Sequence, residues 1–234
     1  QSSNFYSLDT KISDTLIGGL ELWFSDGTES GTRPININQN TYTFYEPDDG
    51  EYRPYTLIGE SDFGFLEHSS SSFPRELTKF KDNLILVAND GVSGFELWAI
   101  SDQGNDHRQI ADLSEGNTSS SPEELTVVGD RLYFTANDNS GRKLWSVTNT
   151  LGRPTLVEGA GENPKHLSNI NGKLYFSAES EFGRELWVAN GSTANLEADI
   201  NPGSGSSSPK NFTTLNHWVD QKIETYFYFS ANDG

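Results

Sequence analysis

Five aromatic residues stand outside any repeating pattern in this chain: Tyr42, Tyr45, Tyr52, Tyr55 and Trp218. Each ring has an apolar face and a polar tip, and the group lies among Asp, Glu and Asn. Such residues stack on sugar rings and accept bonds from their hydroxyls, and they also bury a hairpin against its scaffold. Both readings stand for this group. The densest acidic stretch, Glu46, Asp48, Asp49 and Glu51, overlaps it. Bunched carboxylates repel one another unless water or a cation intervenes, and a set with only oxygen donors suits calcium. Asp48, Asp49 and Glu51 are therefore candidate calcium ligands. Asp112 and Asp199 are further candidates, because they end equivalent strands and could line one face; they could equally cap turns. Asp90, Asp138 and Asp233 sit beside Asn, where turn chemistry competes with calcium.

Other chemistries find no support. The chain has no cysteine, so disulfides and thiolate metal sites are excluded. Four histidines share no spacing and form no HExxH pair, which argues against zinc. No GxSxG elbow and no phosphate-cradling glycine loop occurs. Glycosidases need two carboxylates flanking one bond. Here the first strands of the repeat read LTKF, LTVV, LSNI and FTTL, without an acid, and no enzyme is expected. A net charge of −18 argues against nucleic acid. No apolar run approaches the length of a membrane span.

The elements that must position these residues recur. Leu77–Trp98, Leu125–Trp145 and Leu167–Trp187 are three copies of one pattern. A fourth is split between Tyr226–Gly234 and Glu21-Leu22-Trp23. Each copy opens on a proline, Pro74, Pro122, Pro164 or Pro209, behind a Ser-rich stretch at Pro74, Pro122 and Pro209. Short aromatic and β-branched runs follow, separated by pairs such as Gly129-Asp130 and Asn171-Gly172, which favour tight hairpins. Four short antiparallel strands per repeat is the pattern of a propeller blade. Trp23, Trp98, Trp145 and Trp187 obey the repeat and are expected in the packing between blades. Trp218 falls in an enlarged first turn of the split copy. Residues 40–67 interrupt the repeat and read as an inserted hairpin around Pro47-Asp48-Asp49-Gly50, or else as a degenerate fifth blade.

The stretches Glu21–Thr32 (ELWFSDGTESGT), Ala198–Pro209 (ADINPGSGSSSP) and Phe227–Gly234 resemble the secreted bacterial repeat family with an ELWxxDGT signature. The full motif occurs once. Glu96-Leu97-Trp98 and Glu185-Leu186-Trp187 keep ELW without DGT, and Lys143-Leu144-Trp145 departs further. The resemblance covers about residues 20–37 and 70–234. It implies β-propeller repeats in exported surface or matrix proteins of bacteria, whose biochemical role is poorly defined.

The expectation is an all-β chain. An arm at 1–19, with one strand around Thr15–Ile17, precedes a single four-bladed propeller at 20–234, closed by pairing of its N- and C-terminal strands. Gln1 reads as a processed end, left by signal-peptide removal or by cleavage of a longer precursor. Asn117, Asn190 and Asn211 open glycosylation sequons. The expected role is extracellular or cell-surface binding, of glycan above all, with calcium as a structural ion. A structural module of a surface layer, sheath or filament that contacts other proteins or itself is the alternative, and a secreted hydrolase the second.

Overall fold

A computed structural model describes residues 20–38, 71–101, 104–150, 152–219 and 222–234. The arm at 1–19 and the insertion at 40–67 lie outside the described residues. Within them every regular element is a strand. Three consecutive four-stranded antiparallel sheets form the body. Unit 1 holds β3 (Arg75–Phe80), β4 (Asn83–Asn89), β5 (Phe95–Ser101) and β6 (Asp106–Ala111). Unit 2 holds β7 (Glu123–Val128), β8 (Arg131–Asn137), β9 (Arg142–Val147) and β10 (Thr155–Leu156). Unit 3 holds β11 (Glu162–Ile170), β12 (Lys173–Ser180), β13 (Gly183–Asn190) and β14 (Thr193–Ala198). Two hairpins flank them: β1 (Leu22–Phe24) with β2 (Arg33–Ile35), and β15 (Lys210–Val219) with β16 (Lys222–Ser230).

Alternation along each second strand sends apolar side chains to both neighbouring units, so the cores lie between sheets. Leu86 and Ala88 face the first hairpin with Leu22, Ile35 and Ile37. Ile85 and Val87 meet Leu132, Phe134 and Ala136 of unit 2. Tyr133 and Leu144 of unit 2 meet Phe176, Ala178 and Trp187 of unit 3. Among the described residues no such cluster joins the first hairpin to the last.

The expected closure is not seen among the described residues. The two halves of the split repeat form separate two-stranded sheets, and no strand pairing links β1 to β16. Among the described residues each buried apolar cluster joins consecutive units. Trp23 departs from its expected packing as well. Trp98 and Trp187 are buried and Trp145 is half-buried, whereas Trp23 is 62% exposed. The repeat tryptophans lean on the preceding unit, and no described unit precedes Trp23.

The first strands carry a repeated distortion. Phe73, Ser121, Asn163 and Ser208, each just before a proline, have φ between 45° and 49°. Glu76, Glu124, His166 and Asn211, two residues past the proline, have φ between 57° and 62°. The register of each first strand shifts over this same stretch, as a β-bulge does. Asn171 and Gly172 both have positive φ, the tight hairpin turn their sequence predicts. In the one complete signature, Asp26 shapes the turn by accepting Thr28 N (2.9 Å) and Thr28 Oγ1 (2.7 Å).

Candidate functional site

Carboxylates recur at the unit junctions. The glutamate of each ELW turns into the seam and meets the Ser-x-Pro of the next unit. Glu185 is fully buried and accepts from Ser207 N (2.8 Å), Ser207 Oγ (2.5 Å) and Ile200 N (2.8 Å). Glu96 is buried likewise and accepts from Ser120 N (2.6 Å) and Ser120 Oγ. Glu21 accepts from Ser72 N (3.0 Å) and Ser72 Oγ (2.5 Å). The same seams carry backbone bonds: Phe73 N donates to Leu20 O, Ser121 N to Phe95 O and Ser208 N to Arg184 O. These bonds hold the left-handed residues before Pro74, Pro122 and Pro209, a conformation that otherwise costs about 1–3 kcal/mol. The junction between units 2 and 3 has exchanged its chemistry. Lys143 replaces the glutamate, Glu162 replaces the serine, and the two form an ion pair.

Burial pushes the Glu96 carboxyl up to about 7; the Ser120 hydrogen bonds oppose the shift and the charge of Asp112 adds to it. Burial also raises Glu21, against the bonds from Ser72. Between the ordinary value of 4.5 and about 7, folded Glu96 holds a proton that the unfolded chain releases. Its contribution to stability is therefore fullest below about 4.5 and is lost as pH rises through 7. Glu96→Gln should flatten the fall of the urea midpoint over that window. An unchanged slope in the variant would show that other groups set it.

The first strands of units 1 and 2 hold acids that reading them from their leucines misses. β3 and β7 start two residues earlier, so Glu76 and Glu124 occupy the bulge of adjacent units. Glu76 Oε2 accepts Leu125 N at 3.3 Å, and Glu124 Oε2 accepts Leu167 N at 2.7 Å. Each carboxylate thus reaches the residue beside the next unit's bulge position, which brings Glu76, Glu124 and His166 into one row. The signal was the sequence between each repeat proline and its leucine, Arg75-Glu76 and Glu123-Glu124.

Trp218 is not in a turn. It lies on β15 opposite Ile223 of β16, in a hairpin that outgrows the other first turns. Alternating polar, aromatic and β-branched residues extend both strands instead of ending them. Trp218 is 73% exposed, the highest value among the exposed large apolar residues. Asn216 and Thr225 share its face by alternation, and Thr225 Oγ1 donates to Asn216 Oδ1 at 2.8 Å. The opposite face carries His217 against Tyr226, ring centroids 4.8 Å apart, and Tyr226 OH donates to Glu224 at 2.7 Å.

Tyr42, Tyr45, Tyr52, Tyr55, Asp48, Asp49 and Glu51 lie outside the described residues. Asp112 follows β6 and is exposed; Asp199 follows β14, and its Oδ1 is buried without a hydrogen-bond partner. No three His, Asp or Glu side chains gather as a metal site among the described residues. Asp90 and Asp138 serve their own turns: Asp90 Oδ1 accepts Val92 N and Ser93 N, and Asp138 Oδ1 accepts Ser140 N. No helix among the described residues is long and apolar enough to cross a membrane.

No protein-family model matches the chain, and no curated protein matches it. Among solved structures, a chain from a structural and mechanistic study of two prolyl endopeptidases is similar at 11% identity and a TM-score of 0.40. The similarity covers 91% of the present chain and 31% of the other. The present chain thus spans under a third of the length of that relative.

Proposed function

We propose that this chain is an extracellular or cell-surface binding module built of propeller-like blades, and that its ligand is a glycan held at the tip of the β15–β16 hairpin. The observation that carries the reading is Trp218: a large ring left in water on a projecting hairpin, with Asn216 and Thr225 on the same face. An indole face covers the apolar side of a sugar ring, and neighbouring amide and hydroxyl groups meet its hydroxyls. Tyr42, Tyr45, Tyr52 and Tyr55 would extend the surface from the insertion. Resemblance to the ELWxxDGT family favours the exported setting. Calcium, with Asp48, Asp49, Glu51, Asp112 and Asp199 as proposed ligands, is a structural ion in this reading; the unpartnered Asp199 oxygen is its one support among the described residues.

A glycan array probed in calcium and in chelator tests the reading. Binding should fall at least about tenfold in Trp218→Ala, the equivalent of about 1.4 kcal/mol. Loss of binding in chelator would make calcium part of the site, and persistence would remove it. An array without signal in either arm would sink the glycan reading.

The hydrolase reading gains one observation, the carboxylates of Glu76 and Glu124 on the first strands of units 1 and 2. Paired carboxylates are what glycoside hydrolysis requires. A screen of chromogenic glycosides, with Glu76→Gln and Glu124→Gln as controls, would detect such an activity.

A further inference from the structure

Within every complete unit the second strand meets the tryptophan strand in one register. Leu86 pairs with Trp98, Phe134 with Trp145 and Phe176 with Trp187. Two residues along, Ala88 pairs with Glu96, Ala136 with Lys143 and Ala178 with Glu185. β16 is a second strand of the same kind. Phe229 and Ala231 hold the places of Leu86 and Ala88. Asn232 N donates to Ser207 O at 2.8 Å, as Asn89 N does to Ser72 O and Asn137 N to Ser120 O. β1 is a tryptophan strand of the same kind, and Glu21 makes the junction bonds that Glu96 and Glu185 make. Among the described residues each of these strands has one unpaired edge. Both strands carry exposed apolar rings: Trp23 on β1, and Tyr228 and Phe229 on β16, are 62%, 45% and 37% exposed. An open edge flanked by exposed rings is a template for another strand.

We infer that β16 of one copy pairs with β1 of a second copy, in the register Phe229 to Trp23 and Ala231 to Glu21, so that two chains share one four-stranded sheet. The occupant is a second copy because β1–β2 is the element whose residues match the register seen between second and tryptophan strands within the three complete units. The contact is head-to-tail. Each copy presents β1 to one neighbour and β16 to another, so the assembly grows as an open filament or closes as a ring of copies. The hairpin tip from Asn216 to Thr225 projects past the paired segment and stays uncovered.

The absence of cysteine makes a direct test available. Trp23→Cys is prepared in one sample and Phe229→Cys in another; both positions are exposed, so the fold tolerates the change. Opposed residues of an antiparallel pair lie about 4.5–5.5 Å apart at Cα, inside the range a disulfide spans. Mixed and oxidised, the two samples should give a covalent heterodimer as the dominant product, reversed by reductant. The unsubstituted chain should gain mass with concentration in sedimentation equilibrium. Two results would overturn the inference. One is an intrachain bridge when a single chain carries both substitutions, which is closure within one copy. The other is a mixture yielding no more dimer than either sample alone, with the unsubstituted chain monomeric at every concentration.

Discussion

Glu185→Ala should lower stability by about 3–5 kcal/mol, one of the two largest effects expected of a single side chain in this protein. The carboxylate is fully buried, and three donors, Ser207 N, Ser207 Oγ and Ile200 N, point at it. Alanine leaves all three without a partner in a seam, at about 1–3 kcal/mol for each buried donor, before any relief from entering water. For a chain of this size the loss is on the order of 10 °C in Tm. The damage should be local, because each unit contacts only its neighbours. Hydrogen exchange should accelerate at the Ser207 and Ile200 amides and leave the amides of β8 nearly unchanged. Glu185→Gln keeps an acceptor oxygen and should cost less than half as much. Equal losses in both variants would mean that the charge, and not the hydrogen bonding, holds the seam.

Phe134→Ala comes next, at about 3–5 kcal/mol. The ring has no exposed surface and fills the space between units 1 and 2 with Ile85, Val87 and Leu97. Removing it creates a cavity that two sheets, each fixed by its own ladder, cannot close. Phe229 is the control, because it occupies the same place in the repeat but is 37% exposed. In dilute protein Phe229→Ala should cost under about 1 kcal/mol. Urea midpoints of the two variants, compared at equal concentration, check the contrast. Similar losses would show that Phe229 is covered in solution.

The comparison of these two rings shows what was legible in the sequence. Strand order within the three complete units and the tight turn at Asn171-Gly172 follow from local alternation and turn residues, and the structure agrees with them. Whether a repeat position is buried depends on the neighbouring unit, which no local pattern contains. Trp23 and Phe229 therefore differ from their equivalents. The partner of the ELW glutamate was readable in part: Glu96 to Ser120 and Glu185 to Ser207 span similar intervals, each ending at Ser-x-Pro. The insertion stretches the interval from Glu21 to Ser72 and hides that regularity. Glu76 and Glu124 were missed because the strand was read from its first leucine, while the bulge that aims them lies just upstream. Trp218 was read as turn, since hairpin length depends on cross-strand pairing of Asn216 with Thr225 and of Trp218 with Ile223.

The exchange of Glu and Ser for Lys143 and Glu162 also bears on how so repetitive a chain folds. Units with near-identical strands can dock on the wrong neighbour, which is the characteristic hazard of repeats. A unit ending in Lys143 that met Ser120 or Ser207 would leave an ammonium without its anion. A unit ending in Glu96 or Glu185 that met Glu162 would set two carboxylates against each other. Either mismatch is disfavoured by the repulsion or desolvation of a charge, whereas the native order satisfies every junction. The odd junction thus acts as an address within the chain, fixing which unit follows which.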